Sequence, residues 1–182
     1  MLVIHPKDKT TDMLTVLYEG LEHIRIAQDC GSNRLNHILY HTPKAGRIML
    51  LGHGPGEGLY FRQNDETEDF NRVIVGHPQA YHLRRHGGNL VGIWCHAVDF
   101  ARAEGLHGLF SGMFISEMSV AADYGIVTTK EDMDQTNGIL FARLRRLLDD
   151  GTPLHEIPAR MKTLNDEKSQ LAMFNYESFY GL

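Results

Sequence analysis

His53 and Cys95 are the two side chains of this 182-residue chain whose types and settings point most directly to chemistry. His53 follows the apolar run Ile48-Met-Leu-Leu51 and opens a turn in which Gly52, Gly54, Gly56 and Gly58 alternate with other residues. Cys95 closes a second apolar run, Leu90-Val-Gly-Ile-Trp. A thiol is a poor nucleophile until it loses its proton, and a nearby imidazole can take or hold that proton. If the two runs are neighbouring strands, their backbones lie about 4.8 Å apart, and His53 and Cys95 face each other across the sheet edge. Gly54 has no side chain, so its N–H can be aimed at a developing oxyanion alongside the N–H of Cys95. A helix expected after Cys95 would present its positive end to the sulfur and favour a thiolate. Nucleophile, base and oxyanion donors together support acyl transfer, meaning amide or thioester hydrolysis.

These groups need a scaffold that brings them to one edge. Residues 2–5, 23–27, 47–51, 89–94 and 107–114 read as strands. Between them, 11–20, 32–42, 78–86 and 96–104 read as helices. Ser32 is a plausible N-cap and Pro43 a stop. A polar stretch, 63–69, interrupts the rhythm, either as a hairpin of 59–62 against 72–75 or as an exposed excursion. Residues 115–124 read as a helix. Thr129 to Asp132 resembles a capping box, and Leu140, Leu144, Leu147 and Leu148 share a helical face. Gly151 ends that helix and Thr152-Pro153 can start another. The tail, with Phe174, Tyr176, Phe179 and Tyr180, is expected to pack back on the body. Strands alternating with helices imply one α/β domain over 1–182, a mainly parallel sheet with helices on both faces and a helical segment from about 130. The strand ends would then gather His5, Asp29-Cys30, the Gly52–Gly58 turn, Trp94-Cys95-His96 and the start of Ser111-Gly-Met-Phe114 at one edge, where open α/β sheets bind ligands.

The two motifs, an apolar strand ending in His53-Gly54 and, about forty residues on, an apolar strand ending in Cys95, resemble the caspase-like cysteine peptidases of clan CD. That group includes caspases, legumain, gingipain, clostripain, separase and the CHAT domains. The resemblance spans roughly residues 1–124, and its specific part is those two motifs. It implies a caspase-like three-layer sandwich in which the dyad His and Cys follow successive strands. It further implies His53 as base, Cys95 as nucleophile, and Gly54 with Cys95 as backbone oxyanion donors. Residues Ser111, Gly112 and Met113, on to Glu117, would shape the pocket for the residue before the cleaved bond. Glu117 or Asp99 would select a basic side chain there. The chain departs from the pattern in having bulky His96 after the Cys, where many members carry a small or characteristic polar residue. No self-processing loop is evident.

Composition narrows the alternatives. With 42% hydrophobic and 23% charged residues, the chain is not of the disordered class. A formal charge of -5 argues against a generic nucleic-acid or anionic-membrane binder. No apolar run approaches a bilayer span, and residues 1–10 lack a long apolar leader segment. Two cysteines make no disulfide framework, so a reducing, cytoplasmic compartment is expected. The same fold could instead serve as a non-catalytic binding or scaffold module, its crevice blocked or mispaired by His96. A phosphate-ligand site at the Gly52–Gly58 loop is a third reading, though the Walker Lys-Ser/Thr pair is absent and Glu57 would repel phosphate. His37/His41 and His82/His86 have the spacing of zinc helices but lack the metalloprotease Glu; His96 beside Cys95 is expected to orient a substrate, the alternative being a Cys/His metal site with His53. The expectation is therefore a peptide or protein substrate, with no metal, cofactor, nucleic acid or membrane, and an open oligomeric state.

Overall fold

The computed structural model describes residues 1–61 and 72–182. A six-stranded sheet runs in the order β2-β1-β3-β6-β7-β8. These strands are β1 (Leu2–Ile4), β2 (Ile24–Ile26), β3 (Ile48–Leu51), β6 (Leu90–Ile93), β7 (Gly108–Ser111) and β8 (Phe179–Gly181). The first five pair in parallel, and β8 lies antiparallel on β7. A separate hairpin pairs β4 (Leu59–Phe61) with β5 (Arg72–Val75), so the hairpin alternative holds. The polar stretch 63–69 and Arg62 lie outside the described residues.

The central strands are fully buried because both faces are covered. Along β3, Ile48 and Leu50 enter one core and Met49 and Leu51 the other, as the two-residue period of a strand requires. The first core is closed by α1 (Ser32–His41), α2 (His77–Leu83) and α3 (Ala97–Glu104). The second is closed by a 3-10 helix (Lys9–Leu17), α5 (Lys130–Asp149), α6 (Ile157–Leu164) and α7 (Gln170–Glu177). A short α4 (Met118–Asp123) packs through Ala121 into a third, smaller cluster with Met133 and Leu171. The fold is thus α/β, with a mainly parallel sheet and helices on both faces, compatible with a three-layer sandwich.

Two elements differ from expectation, each for a physical reason. The helix expected over 11–20 is a 3-10 helix over Lys9–Leu17. Thr10, Thr11, Thr15 and Val16 are β-branched and crowd an α-helical turn, while Thr11, Leu14 and Leu17 bury at the three-residue period of the tighter helix. The aromatic tail does pack back, but its end forms β8 on β7. Arg143 and Arg145 tie α5 to neighbouring segments through their side chains. Arg143 bonds the Leu164 carbonyl, the Tyr176 hydroxyl and Asp166, and Arg145 bonds the Val16 and Glu19 carbonyls. Thr129 caps α5 as expected, its hydroxyl accepting from the Asp132 N–H at 3.1 Å. No helix among the described residues is long and apolar enough to cross a membrane.

Candidate active site

Register brings the two reactive residues together. β3 and β6 are parallel neighbours with Leu51 paired to Ile93, and the Gly52 N–H donates to the Ile93 carbonyl at 3.0 Å. His53 and Cys95 each follow two residues later, so the strand period carries both side chains to the face of Leu51 and Ile93. Both line a small cavity of about 20 Å³, room for a water molecule, closed by Leu14, Phe114 and Ser116.

The loop after His53 is bent hard back on itself. The Tyr60 N–H donates to the His53 carbonyl at 2.8 Å, and the Trp94 indole N–H donates to the Pro55 carbonyl at 3.1 Å. A Cβ at Gly54 would stand 2.0 Å from the Gly58 carbonyl oxygen and 2.9 Å from Trp94, so this close approach admits only glycine. Among the described residues, neither the Gly54 nor the Cys95 N–H donates to a backbone carbonyl. Trp94 itself is 2% exposed and belongs to the core.

The Cys95 thiol is half-buried and donates to the Phe114 carbonyl at 3.7 Å. Burial pushes its pKa up, and the Glu117 carboxylate adds to the rise. The thiolate favoured by a helix terminus is therefore not the resting state; the thiol is protonated. Iodoacetamide should accordingly label Cys95 slowly at neutral pH, with the rate climbing only above pH 9, and Glu117→Gln should move that climb to lower pH. Removing the anion lowers the cost of forming a second negative charge nearby. Labelling that is already maximal at pH 6 would contradict the assignment.

The residues expected around the dyad are placed as follows. Ser111 is fully buried, its hydroxyl donating to the Trp94 carbonyl at 2.7 Å and accepting from the Trp94 N–H at 3.0 Å, so it ties β7 to the end of β6. Gly112 accepts from the His96 N–H at 3.1 Å and donates to Ser178 at 2.8 Å, and its Cα faces the Tyr180 ring. Met113 lies in a different groove, with Lys162, Phe174 and Tyr180. Glu117 lines a cavity of about 500 Å³ with Lys9, Thr10, Met118, Lys130 and Asp134; it shares Met13 and Ser116 with the dyad cavity. His96 adopts a left-handed backbone, φ 65°, uncommon without glycine and costing about 1–2 kcal/mol. Its ring bonds Asp99 at 3.1 Å, and both side chains are exposed beside Gly56 rather than in the dyad cavity.

His5, expected at the same edge, is fully buried between the Tyr18 hydroxyl at 2.9 Å and Thr11 at 3.2 Å. Burial, with the Arg25 charge, lowers its pKa to about 4, so it is neutral at physiological pH. Cys30 packs half-buried against the first core. The His37 and His41 ring centroids lie 4.3 Å apart with the planes tilted by 55°, but among the described residues no cluster of three His, Cys, Asp or Glu side chains could hold a metal.

Two residues of the site have no motif of their own: Asp8 and Thr10. Asp8 caps the 3-10 helix, accepting from the Thr10 N–H at 2.8 Å and from the Thr10 hydroxyl at 2.6 Å. That hydroxyl lies 2.6 Å from His53 Nε2. The available signal is an Asp-x-Thr directly after the first strand, which reads as a helix start and nothing more. No protein-family model matches the chain, and no curated protein matches it significantly.

Proposed function

We propose that the protein is a caspase-like cysteine peptidase, or a related amide-bond hydrolase, with His53 and Cys95 as its dyad. The observation that carries this reading is the convergence of imidazole and thiol, from equivalent positions on adjacent parallel strands, on one cavity. Attack begins when the thiol turns from the Phe114 carbonyl and passes its proton to His53 as the sulfur bonds the substrate carbonyl carbon. The Gly54 and Cys95 N–H groups receive the oxyanion. His53 then returns the proton to the leaving amine as the C–N bond breaks, and water releases the acyl group from sulfur. A protonated resting thiol suits this order, since the nucleophile forms only when substrate has displaced water.

Glu117, in the adjoining cavity, supports a preference for a basic side chain before the cleaved bond; Asp99, paired to His96 outside, does not. Peptide mixtures should therefore be cut after Lys or Arg, and Glu117→Gln should lower that preference about tenfold, read by mass spectrometry of the products. Cleavage after acidic residues would exclude this role for Glu117. A peptide or protein is thus the substrate, and a reducing compartment such as the cytoplasm suits the two free thiols. The hydrolase reading is tested by cleavage of the mixture at all. No cleavage by wild type, with tight retention of one peptide, would favour a non-catalytic module.

A further inference from the structure

We infer that Asp8, acting through the Thr10 hydroxyl, holds His53 in one tautomer and steadies its charged form, extending the dyad to an Asp8–Thr10–His53–Cys95 chain. This inference rests on the hydrolase reading for its catalytic meaning, while its geometry stands independently. A hydroxyl carries one proton. Thr10 gives that proton to Asp8 Oδ1 at 2.6 Å, so at 2.6 Å from His53 Nε2 it accepts, and Nε2 must carry hydrogen. The basic lone pair is thereby assigned to Nδ1. When His53 takes the thiol proton, the imidazolium charge is relayed through a short hydroxyl to a buried carboxylate, which is 8% exposed.

The fold builds this chain from β1 and its following turn. Asp8 is anchored twice, by the Thr10 N–H and the Thr10 hydroxyl, so the hydroxyl cannot rotate away without losing a charge-assisted bond. Among the described residues, the titratable and charged neighbours are His5, Cys95 and Glu117, with Lys9, Lys130 and Asp134 lining the cavity beside Thr10. His5, below the same turn, is neutral and couples weakly to both Asp8 and His53. Cys95 faces from the β6 side, and Glu117, before α4, acts on the thiol. Among the described residues, Asp8 is the carboxylate joined to His53 through hydrogen bonds, by way of the Thr10 hydroxyl. Asp8 and Thr10 are positioning residues, since neither touches the scissile bond.

Three variants separate this role from helix capping. Thr10→Val removes the hydroxyl but keeps the N–H that Asp8 caps; Thr10→Ser restores the hydroxyl. Asp8→Asn keeps an acceptor oxygen and the cap but loses the charge. Wild type and Thr10→Ser should show, by NMR, a His53 Nε2 proton protected from exchange, which Thr10→Val loses. Asp8→Asn should shift the His53 titration to lower pH, because the imidazolium has lost its counter-charge. In peptide hydrolysis, Thr10→Val should lower kcat about tenfold at similar KM, and Thr10→Ser should recover it. An Nδ1-protonated His53, or a titration unmoved by Asp8→Asn, would overturn the inference. A wild type that hydrolyses nothing would remove the hydrolase reading alone, since the NMR arms still decide the relay.

Discussion

Cys95→Ala should reduce peptide hydrolysis to background, a loss of about a thousandfold or greater, with the unfolding midpoint nearly unchanged. The size follows from the proposed mechanism: without sulfur no acyl intermediate would form, and only the proposed oxyanion donors and binding contacts would remain to assist water. The small change in stability follows from the setting. Cys95 is half-buried at a strand end, its side chain's one hydrogen bond among the described residues is a weak S–H to the Phe114 carbonyl, and the neighbouring core is carried by Trp94 and Ile93. Hydrolysis assays paired with thermal melts check both parts. Retained activity within tenfold of wild type would mean that another group is the nucleophile.

Asn175→Ala should cost about 3 kcal/mol of stability, the largest effect expected of a residue outside the dyad. Asn175 is fully buried on α7 and spans two elements. Its Oδ1 accepts from the Ile115 N–H at 2.9 Å, and its Nδ2 donates to the Ile115 carbonyl and to Asn137 Oδ1, both at 2.9 Å. Truncation leaves the Ile115 N–H and the Asn137 oxygen buried without that partner, and an unmade buried bond costs its full desolvation. The consequence reaches the site, because Ile115 follows Phe114, whose carbonyl holds the Cys95 thiol. Denaturant unfolding measures the loss; a change under 1 kcal/mol would show that water or a local shift satisfies these groups.

Much of the scaffold is legible in the sequence because parallel strands buried on both faces must be continuous apolar runs. Ile48 to Leu51 and Leu90 to Ile93 are such runs, and their shared parity delivers His53 and Cys95 to one face. β8 is harder to read. It is three residues long, and its pairing with β7 depends on where α5 to α7 return the chain, a tertiary matter. The aromatic residues reveal that the tail packs, not that it pairs. Asp8 and Thr10 are illegible as site residues for a similar reason. The contact of Thr10 with His53 spans 43 residues, that of Asp8 runs through Thr10, and both exist only because β1 lies beside β3. The raised pKa of Cys95 is also hidden, since its main cause is desolvation by packing that only the folded chain assembles.

The central claim is that the imidazole of His53 serves the sulfur of Cys95. Its most direct test is acylation by a peptide thioester ending in Lys, followed by intact-mass measurement and peptide mapping. The expected result is a single acyl adduct on Cys95, formed by wild type and lost in His53→Ala, with Cys30 unmodified. Equal acylation of Cys30 and Cys95, indifferent to the loss of His53, would contradict it.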